Sequence, residues 1–554
     1  MKNKKEVMSP WERLVGLLKL EKRDISQVIY YAIFSGFLAL TLPLGIQAII
    51  NLIQGAQVST SWVVLVVLVT LGVAFVGVLQ LMQMRIIETI QQRIFTRASF
   101  EFTYRFPKIK MNELRNNYPP ELANRFFDTL NIQKGLAKIL IDIPAAILQI
   151  VFALILLSFY HPFFIAFGFL LLVLIYIVFK FTAKKGMETS LMESKHKYKV
   201  VHWIQEVARA VVSFKLSGKT SLAVNKNDEL VNGYLEARES HFRILVIQFI
   251  QMIGFKVIVT AGLLLIGGLL VLNQEMNIGQ FVAAEIIILL VIASVEKLIL
   301  GLESFYDVLT SLEKMGQIVD KDLEMQDGDK PEFKDNFNIE LDNVAYNVPD
   351  REASILSNIS LKIKPKSRLL LKGESGSGKS SLLRLITGII EPTKGKVYLD
   401  NYMLSNINLN HYRSHLGLSL ADETPFEGTI RENITFGNAH VSEEQLLWAI
   451  ENVGLNQFVK ESPKGLNTVL YPEGKQISFT IAKKIVLARA IVSKPKVLIL
   501  EDPLEHFETE EVNRIISFLT NTKNPWALVV VSMSNNDWSK SCTQVLTLKN
   551  GEII

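Results

Sequence analysis

The residues with the most definite chemistry lie between Leu371 and Ser381, in the stretch LKGESGSGKSS. Its core, Gly373 to Ser380, fits the pattern G-x-x-x-x-G-K-[ST] in full and stands between the apolar run RLLLKG and the helical pattern KSSLLRLITGI. Glycines let the backbone turn its N–H groups toward phosphate oxygens, and the N-terminus of the following helix adds partial positive charge. The stretch therefore predicts a phosphate-binding loop.

The side chains that this pattern requires have distinct roles. We expect Lys379 to reach the β- and γ-phosphates of a nucleotide and the Ser380 hydroxyl to bind Mg²⁺. The residues of the loop predicted to bind the nucleotide are Gly373, Glu374, Ser375, Gly376, Ser377, Gly378, Lys379, Ser380 and Ser381.

A second stretch, VLILEDP from Val497 to Pro503, places two acids after an apolar run. A phosphate-binding loop needs such acids nearby if the nucleotide is to be hydrolysed. Glu501 and Asp502 are therefore the candidate catalytic residues.

The elements that must position these residues are short β-rich runs alternating with helical patterns. The runs are NIELDNVAYNV, ISLKIKPKSRLLLKG, KVYLDN, KVLILED, WALVVVSM and QVLTLKNGEII. This alternation predicts an α/β domain with a mainly parallel sheet. The acidic segment DKDLEMQDGDKPEFKDN before it is typical of a linker.

The first part of the chain is much more apolar, and it contains runs near the roughly 20 residues that a helix needs to cross a bilayer. Six spans are predicted, at Val28–Ile53, Trp62–Met84, Ile139–Tyr160, Pro162–Phe179, Ile244–Leu272 and Phe281–Leu302. Before the first span, SPWERLVGLLKL places Trp11, Leu14, Val15 and Leu18 on one face, which predicts an interfacial helix.

Lysine and arginine are distributed unevenly between the two sides of the predicted membrane domain. The loops after the first, third and fifth spans carry none, whereas residues 1–25 contain seven positions of these types from Lys2 to Arg23. This bias predicts that both termini are cytoplasmic. The excursions Arg85–Lys138 and Lys180–Arg243 are expected to extend the membrane helices into the cytoplasm.

Together these patterns predict a multidomain protein. We expect a cytoplasmic interfacial segment at 1–25, an all-α six-span membrane domain at 26–315, a linker at 316–335 and an α/β nucleotide-binding domain at 336–554. The formal net charge of +5 gives no reason to expect a nucleic-acid partner, and the single cysteine, Cys542, excludes an intramolecular disulfide.

Charged residues inside the predicted spans are costly in lipid and usually have a function. Lys256 of the fifth span and Glu296 of the sixth lie at similar depth, so we expect them to pair or to line a wet cavity. The alternative is that long helices carry both residues near the cytoplasmic interface.

Six spans, long cytoplasmic extensions and a C-terminal phosphate-loop domain resemble a half-transporter of the ATP-binding cassette (ABC) exporters. The resemblance covers nearly the whole chain. The segments that carry it are TGIIEPTKGKVYLDN, FEGTIRENITFGN, ARAIVSKPKVLILED, PPELANRFFDT and EVARAVVSFKLSG. It implies ATP and Mg²⁺ as cofactors, membrane lipid as surroundings, and a dimer in which each ATP lies between one chain's phosphate loop and the other chain's signature motif.

Four motifs of this chain depart from the family pattern. The family has Asp-Glu where this chain has Glu501 and Asp502; the resemblance assigns Mg²⁺ to the first position and the attacking water to the second. Ala421 occupies the position where the family has the glutamine that links the nucleotide to the membrane domain. Met533 occupies the position of the family's switch histidine. The signature Leu-Ser-Gly-Gly-Gln is ISFTI, which keeps Ser478 and replaces both glycines, by Phe479 and Thr480.

The position of the family's adenine-stacking aromatic residue is also altered. It is Val348 in this chain, and Tyr346, two residues earlier, is the candidate substitute. Because these departures occur beside an intact phosphate loop, the sequence predicts ATP binding with weak or absent hydrolysis.

Two functions of different class remain open from sequence. The chain is an export or secretion permease of the inner membrane, working as a homodimer or a heterodimer, with a periplasmic adaptor and an outer-membrane channel as candidate partners. Alternatively it is an inactive pseudo-transporter that acts as a membrane scaffold or nucleotide-gated switch. The first span begins near residue 28, which disfavours a leader-cleaving exporter within this chain.

Overall fold

Long helices make up the first part of the protein in the computed structural model, which describes residues 8–55, 60–333, 337–349, 351–532 and 538–554. The helices are α1 Pro10–Leu20, α2 Lys22–Ala39, α3 Thr41–Gln54, α4 Thr60–Arg105, α5 Met111–Leu114, α6 Pro119–Asn124, α7 Asp128–Ser158, α8 Phe163–Arg209, α9 Val211–Leu216, α10 Leu222–Gly262, α11 Gly268–Leu272 and α12 Ile278–Val319. A helix, α1, is present where the interfacial segment is predicted, although residues 1–7 of that segment lie outside the described residues. Its position at a membrane interface stays a prediction.

The described part of the chain contains five helical stretches that are long and apolar enough to cross a membrane. They are Lys22–Gln54, Thr60–Lys108, Pro119–Ser158, Leu222–Leu272 and Ile278–Val319. The predicted fourth span lies on α8, where the described apolar stretch Phe163–Tyr176 is shorter; the side chains at 177–179 lie outside the described residues.

Several of these helices exceed the thickness of a bilayer. Helix α8 has 47 residues and α10 has 41. At about 1.5 Å per residue each is about 60–70 Å long, twice the roughly 30 Å of hydrocarbon. The helices therefore continue well beyond the membrane, as the two long excursions predict.

The first predicted span is two helices rather than one. Helix α2 ends at Ala39 and α3 begins at Thr41, with Pro43 in its first turn. Proline has no N–H to donate and its ring displaces the carbonyl four residues earlier, so an uninterrupted helix cannot pass this position without a break or kink.

The chain divides into two compact units, the first Met1–Pro107 with Asn116–Lys321 and the second Lys108–Arg115 with Asp322–Ile554. The short segment Lys108–Arg115 thus belongs with the C-terminal part. There it forms a β-bridge between Ile109 and Leu323 and a 2.6 Å ion pair between Lys110 and Glu391. Sequence patterns do not indicate this attachment.

Strands and shorter helices form the second unit. The strands are β1 Ile339–Tyr346, β2 Leu356–Ile363, β3 Arg368–Lys372, β4 Lys394–Leu399, β5 Tyr402–Met403, β6 Leu416–Ser419, β7 Gly428–Thr429, β8 Val469–Leu470, β9 Val497–Glu501, β10 Ala527–Val531, β11 Gln544–Lys549 and β12 Glu552–Ile553. The helices are α13 Lys379–Ile386, α14 Leu409–Arg413, α15 Ile430–Thr435, α16 Glu443–Val453, α17 Asn456–Glu461, α18 Phe479–Ile491, α19 Thr509–Thr520 and α20 Trp538–Ser541.

The predicted parallel sheet is present, but it does not contain all of the predicted runs. Within the described residues its order is β12-β11-β3-β10-β9-β6, with parallel pairing from β11 to β6. Strands β1 and β4 belong instead to a separate antiparallel sheet, β2-β1-β4-β5. The sequence of a strand does not specify which other strand it pairs with. The sequence therefore could not show whether these strands form one sheet or two.

The thiol of Cys542 is partly buried against the core of the second unit. Burial raises the pKa of this thiol from 9.0 to about 11, with the Arg368 guanidinium acting in the opposite direction. We expect alkylation by iodoacetamide at pH 8 to be about 100-fold slower than for an ordinary thiol, because the reactive thiolate is that much rarer. The same protein in denaturant is the control; equal rates in both states would contradict the prediction.

Candidate nucleotide-binding site

The phosphate-binding loop connects the carboxyl end of β3 to α13. Gly378, the last residue before the helix, has a φ of 103°, a conformation that favours glycine. A Cβ atom there would lie 2.7 Å from Leu356 Cδ2 and 2.9 Å from the Ile355 carbonyl oxygen. The glycine is therefore required both for the turn and for the close approach of β2.

Lys379 is buried at the centre of its own loop. Its ammonium donates hydrogen bonds to the carbonyl oxygens of Gly373 and Glu374, each at 2.8 Å. Close to it, the buried hydroxyl of Ser377 has no hydrogen-bond partner among the described residues. The Lys379 ammonium and the unpaired buried Ser377 hydroxyl, in a glycine-rich loop before a helix, are suited to bind a phosphate group.

Ser380 and Glu501 are brought together although 121 residues separate them. The Ser380 hydroxyl donates a hydrogen bond to one oxygen of Glu501, and the backbone N–H of Ala421 donates to the other at 3.2 Å. These oxygens fit Mg²⁺, which is usually bound by one or two carboxylates together with substrate phosphates. The described residues contain no group of three or more acidic, histidine or cysteine side chains suited to hold a metal.

Asp502 follows at the end of β9 with an unusual backbone conformation. Its φ is 41°, a left-handed value that is uncommon for a residue with a side chain. The Asp502 N–H donates to the Val531 carbonyl oxygen at 2.9 Å, which ties this turn to the last residue of β10. The role of the carboxylate in orienting water stays a prediction.

Lys483 is a site residue that sequence reasoning missed. Its side chain is only 6% exposed, and its ammonium donates to the Ala421 carbonyl oxygen at 3.2 Å. Ala421 therefore contacts Glu501 through its N–H and Lys483 through its carbonyl. The two adjacent lysines in the otherwise apolar helical run TIAKKIVLARA were the available signal, because buried lysine is rare unless it is paired.

The altered signature segment begins α18. The Ser478 hydroxyl caps this helix by accepting a hydrogen bond from the Ile481 N–H at 3.2 Å. Phe479 is the first helical residue; its ring is 50% exposed and meets His506 edge-on at 5.4 Å. Thr480 is half-buried beside it. A bulky aromatic side chain thus stands at the position where the resemblance predicts a glycine.

Tyr346 does not present an open surface for adenine. It is 8% exposed and lies in the hydrophobic core of the second unit, while Val348 is partly buried against the same core. Burial of the ring argues against the expected stacking, because a base needs an accessible aromatic face. Met533, at the predicted switch position, lies outside the described residues.

The two charges of the predicted fifth and sixth spans form an ion pair in the first unit. Lys256 on α10 and Glu296 on α12 approach to 2.6 Å between Nζ and Oε2, and their side chains are 34% and 36% exposed. Each charge thereby stabilises the other in surroundings where a lone charge is costly.

A charge exchange at this pair has a definite expected outcome. Lys256→Glu and Glu296→Lys alone each place two like charges side by side, and we expect each to lower the melting temperature of the purified protein. The double exchange restores most of the loss, since the pair reforms with reversed polarity. Lys297→Glu, next to the pair on α12, is the control for charge reversal itself. Additive losses in the double variant would contradict the pairing.

Two family descriptions match this chain. "ABC transporter transmembrane region" matches residues 27–295 and "ABC transporter" matches residues 356–505. The first range contains most of the long helices of the first unit, and the second contains the phosphate-binding loop, Ala421, α18 and Glu501.

Curated relatives include toxin translocation proteins. The chain is 28% identical over 359 residues to the alpha-hemolysin translocation ATP-binding protein HlyB of Escherichia coli O157:H7, covering 63% of this chain and 50% of that protein. It is 27% identical over 320 residues to the leukotoxin translocation ATP-binding protein LktB of Mannheimia glucosida, covering 57% and 45%. The alignments thus span about half the length of these relatives.

The fold is similar to that of a solved exporter. A bacterial Atm1-family ABC exporter with ATP bound superposes with a TM-score of 0.84 at 16% identity, over 96% of this chain and 94% of that chain. At this identity the likeness concerns the fold alone. With a helical membrane domain of the exporter type followed by a nucleotide-binding domain, the chain belongs to the ABC transporter family and has the architecture of a half-transporter.

Proposed function

We propose that this protein is an ABC exporter of the inner membrane that binds ATP with Mg²⁺ and hydrolyses it weakly or not at all. The observation that carries the proposal is the contrast between an assembled phosphate loop, with Ser380 bonded to Glu501, and a signature helix that begins with the half-exposed Phe479. The first arrangement favours binding, and the second disfavours a tight dimer around the γ-phosphate.

Residues of this chain would hold the nucleotide as follows. Lys379 exchanges its two carbonyl partners for phosphate oxygens, the Ser377 hydroxyl gains a partner, and Ser380 with Glu501 provides oxygens for the metal. Bound Mg²⁺ supplies charge neutralisation at the phosphates. ATP binding without turnover still shifts a conformational equilibrium if the two states differ in affinity for ATP.

Several finer features belong to the same proposal. Distribution of lysine and arginine favours cytoplasmic termini. Family architecture favours a dimer with itself or with another half-transporter. The names of the relatives describe toxin translocation, which favours a peptide or protein over a hydrophobic molecule as cargo. A periplasmic adaptor and an outer-membrane channel remain the candidate partners.

Binding and turnover measured separately on one sample test the proposal. The protein is reconstituted in lipid discs, ATP affinity is measured with Mg²⁺ present, and phosphate release is then followed on the same preparation. We expect saturable binding with little release. Absence of ATP binding would overturn the proposal, as would release at the rate of ordinary enzymes. Binding without any cargo movement in sealed vesicles would favour the switch or scaffold instead of the exporter.

A further inference from the structure

The bend between α1 and α2 encloses an apolar groove, which we call the elbow groove. Its volume is about 440 Å³, and its apolar lining comes from Val15 and Leu18 on α1 and from Ile25 and Ile29 on α2. Lys19 and Lys22 lie at the bend itself and also line the groove, as do Ser26 and Tyr30. Because α2 begins the first stretch that is long and apolar enough to cross a membrane, the groove lies at the N-terminal end of that stretch.

The acidic residues of the bend are already paired with another helix. Glu21 is buried and contacts Arg93 at 2.9 Å and Arg97 at 3.1 Å, both on α4. Asp24 contacts Arg93 at 2.5 Å. These pairs fix the bend against α4 and neutralise the carboxylates nearest the elbow groove.

The two lysines of the groove have no such partner. Both are exposed, and no carboxylate within the described ranges forms an ion pair with Lys19 or Lys22. The groove therefore combines an apolar lining with two unpaired ammonium groups at a membrane edge. Tyr30, 60% exposed, adds an aromatic ring of the kind enriched at membrane interfaces.

A ligand that matches this combination has an anionic head and an apolar tail, and it must be abundant at the membrane surface. We propose that the elbow groove binds an anionic glycerophospholipid, with its phosphate at Lys19 and Lys22 and an acyl chain along Ile25 and Ile29. Basic pockets at the cytoplasmic side of membrane helices recognise such headgroups by charge. The proposal rests on α2 entering the membrane and is independent of nucleotide binding.

Lipid retention tests the proposal. The purified protein is exchanged into discs of phosphatidylglycerol and phosphatidylcholine, released, and its bound lipids are counted by native mass spectrometry. We expect the wild type to retain phosphatidylglycerol selectively. The Lys19→Gln/Lys22→Gln variant is expected to bind phosphatidylglycerol about 25-fold more weakly and therefore to lose it, because each lysine near an anionic headgroup raises the affinity about five-fold.

Matched variants separate a groove from general surface charge. Lys215→Gln/Lys219→Gln removes the same charge from exposed positions of the first unit outside the groove and is expected to retain the lipid. Ser26→Phe fills the groove while keeping both lysines, and we expect it to lose the lipid. Unchanged retention in Lys19→Gln/Lys22→Gln, an equal loss in Lys215→Gln/Lys219→Gln, or equal retention of phosphatidylcholine by the wild type would overturn the proposal.

Discussion

Replacing Lys379 with alanine is expected to weaken ATP binding by about 150-fold or more. Its ammonium lies within the loop, 2.8 Å from two carbonyl oxygens, and in the proposed function it exchanges these partners for phosphate oxygens. A hydrogen bond to a charged group contributes about 1.5–3 kcal/mol, and the loss of two therefore costs about 3 kcal/mol at least.

Equilibrium titration of the purified protein with a fluorescent ATP analogue measures this loss. Lys364→Ala is the control, because it removes an exposed lysine of the same unit just before the turn into β3. It is expected to bind like the wild type. Equal affinity in Lys379→Ala and the wild type would mean that the loop does not hold the phosphates.

ATP turnover is expected to lie at least about 1,000-fold below the roughly 10 s⁻¹ typical of enzymes. Loss of one transition-state donor costs about 100–1,000-fold, and this chain has Ala421 where the resemblance predicts a glutamine amide. The side chains of Phe479 and Thr480, where the resemblance predicts glycines, are expected to obstruct the close approach of the backbone to the γ-phosphate. Asp502 adds to the loss, because its carboxylate is one methylene shorter than glutamate and a misplacement of about 1 Å costs about 100-fold.

Exchanging the two acids separates these causes. Glu501→Asp with Asp502→Glu restores the family order, yet we expect turnover to rise by no more than about 100-fold, the share attributed to acid placement alone. Phosphate release by the exchanged variant is compared with that of a Lys379→Ala preparation, in which any remaining release comes from contaminating ATPases. If the exchanged variant reached ordinary enzyme rates, the altered signature and Ala421 would not be limiting, and the order of the acids would be the whole cause.

Local patterns were sufficient for much of this protein. The phosphate-binding loop could be predicted because its glycines, lysine and serine act within a single strand–turn–helix unit. The apolar runs predicted membrane helices for the same reason, since a helix forms its backbone hydrogen bonds within its own segment. Even the interruption after Ala39 has a local cause, Pro43, although hydropathy alone does not reveal it.

Contacts between distant residues were decided only by the tertiary structure. Packing of β6 beside β9 brings Ala421 to Glu501, and α18 brings the Lys483 ammonium to the Ala421 carbonyl. Packing also buries Tyr346, assigns β1 and β4 to a second sheet, and attaches Lys108–Arg115 to the C-terminal unit.

The physical reason for this division is the range of the interactions. Hydropathy, turn residues and loop motifs act over a few residues, so the sequence alone determined which elements form and that one of them binds phosphate. Which side chains meet depends on how those elements pack, and packing is set by the sum of many weak contacts across the fold. The sequence therefore indicated a nucleotide site with altered parts, and the tertiary structure decided that the Lys483 ammonium contacts the Ala421 carbonyl oxygen.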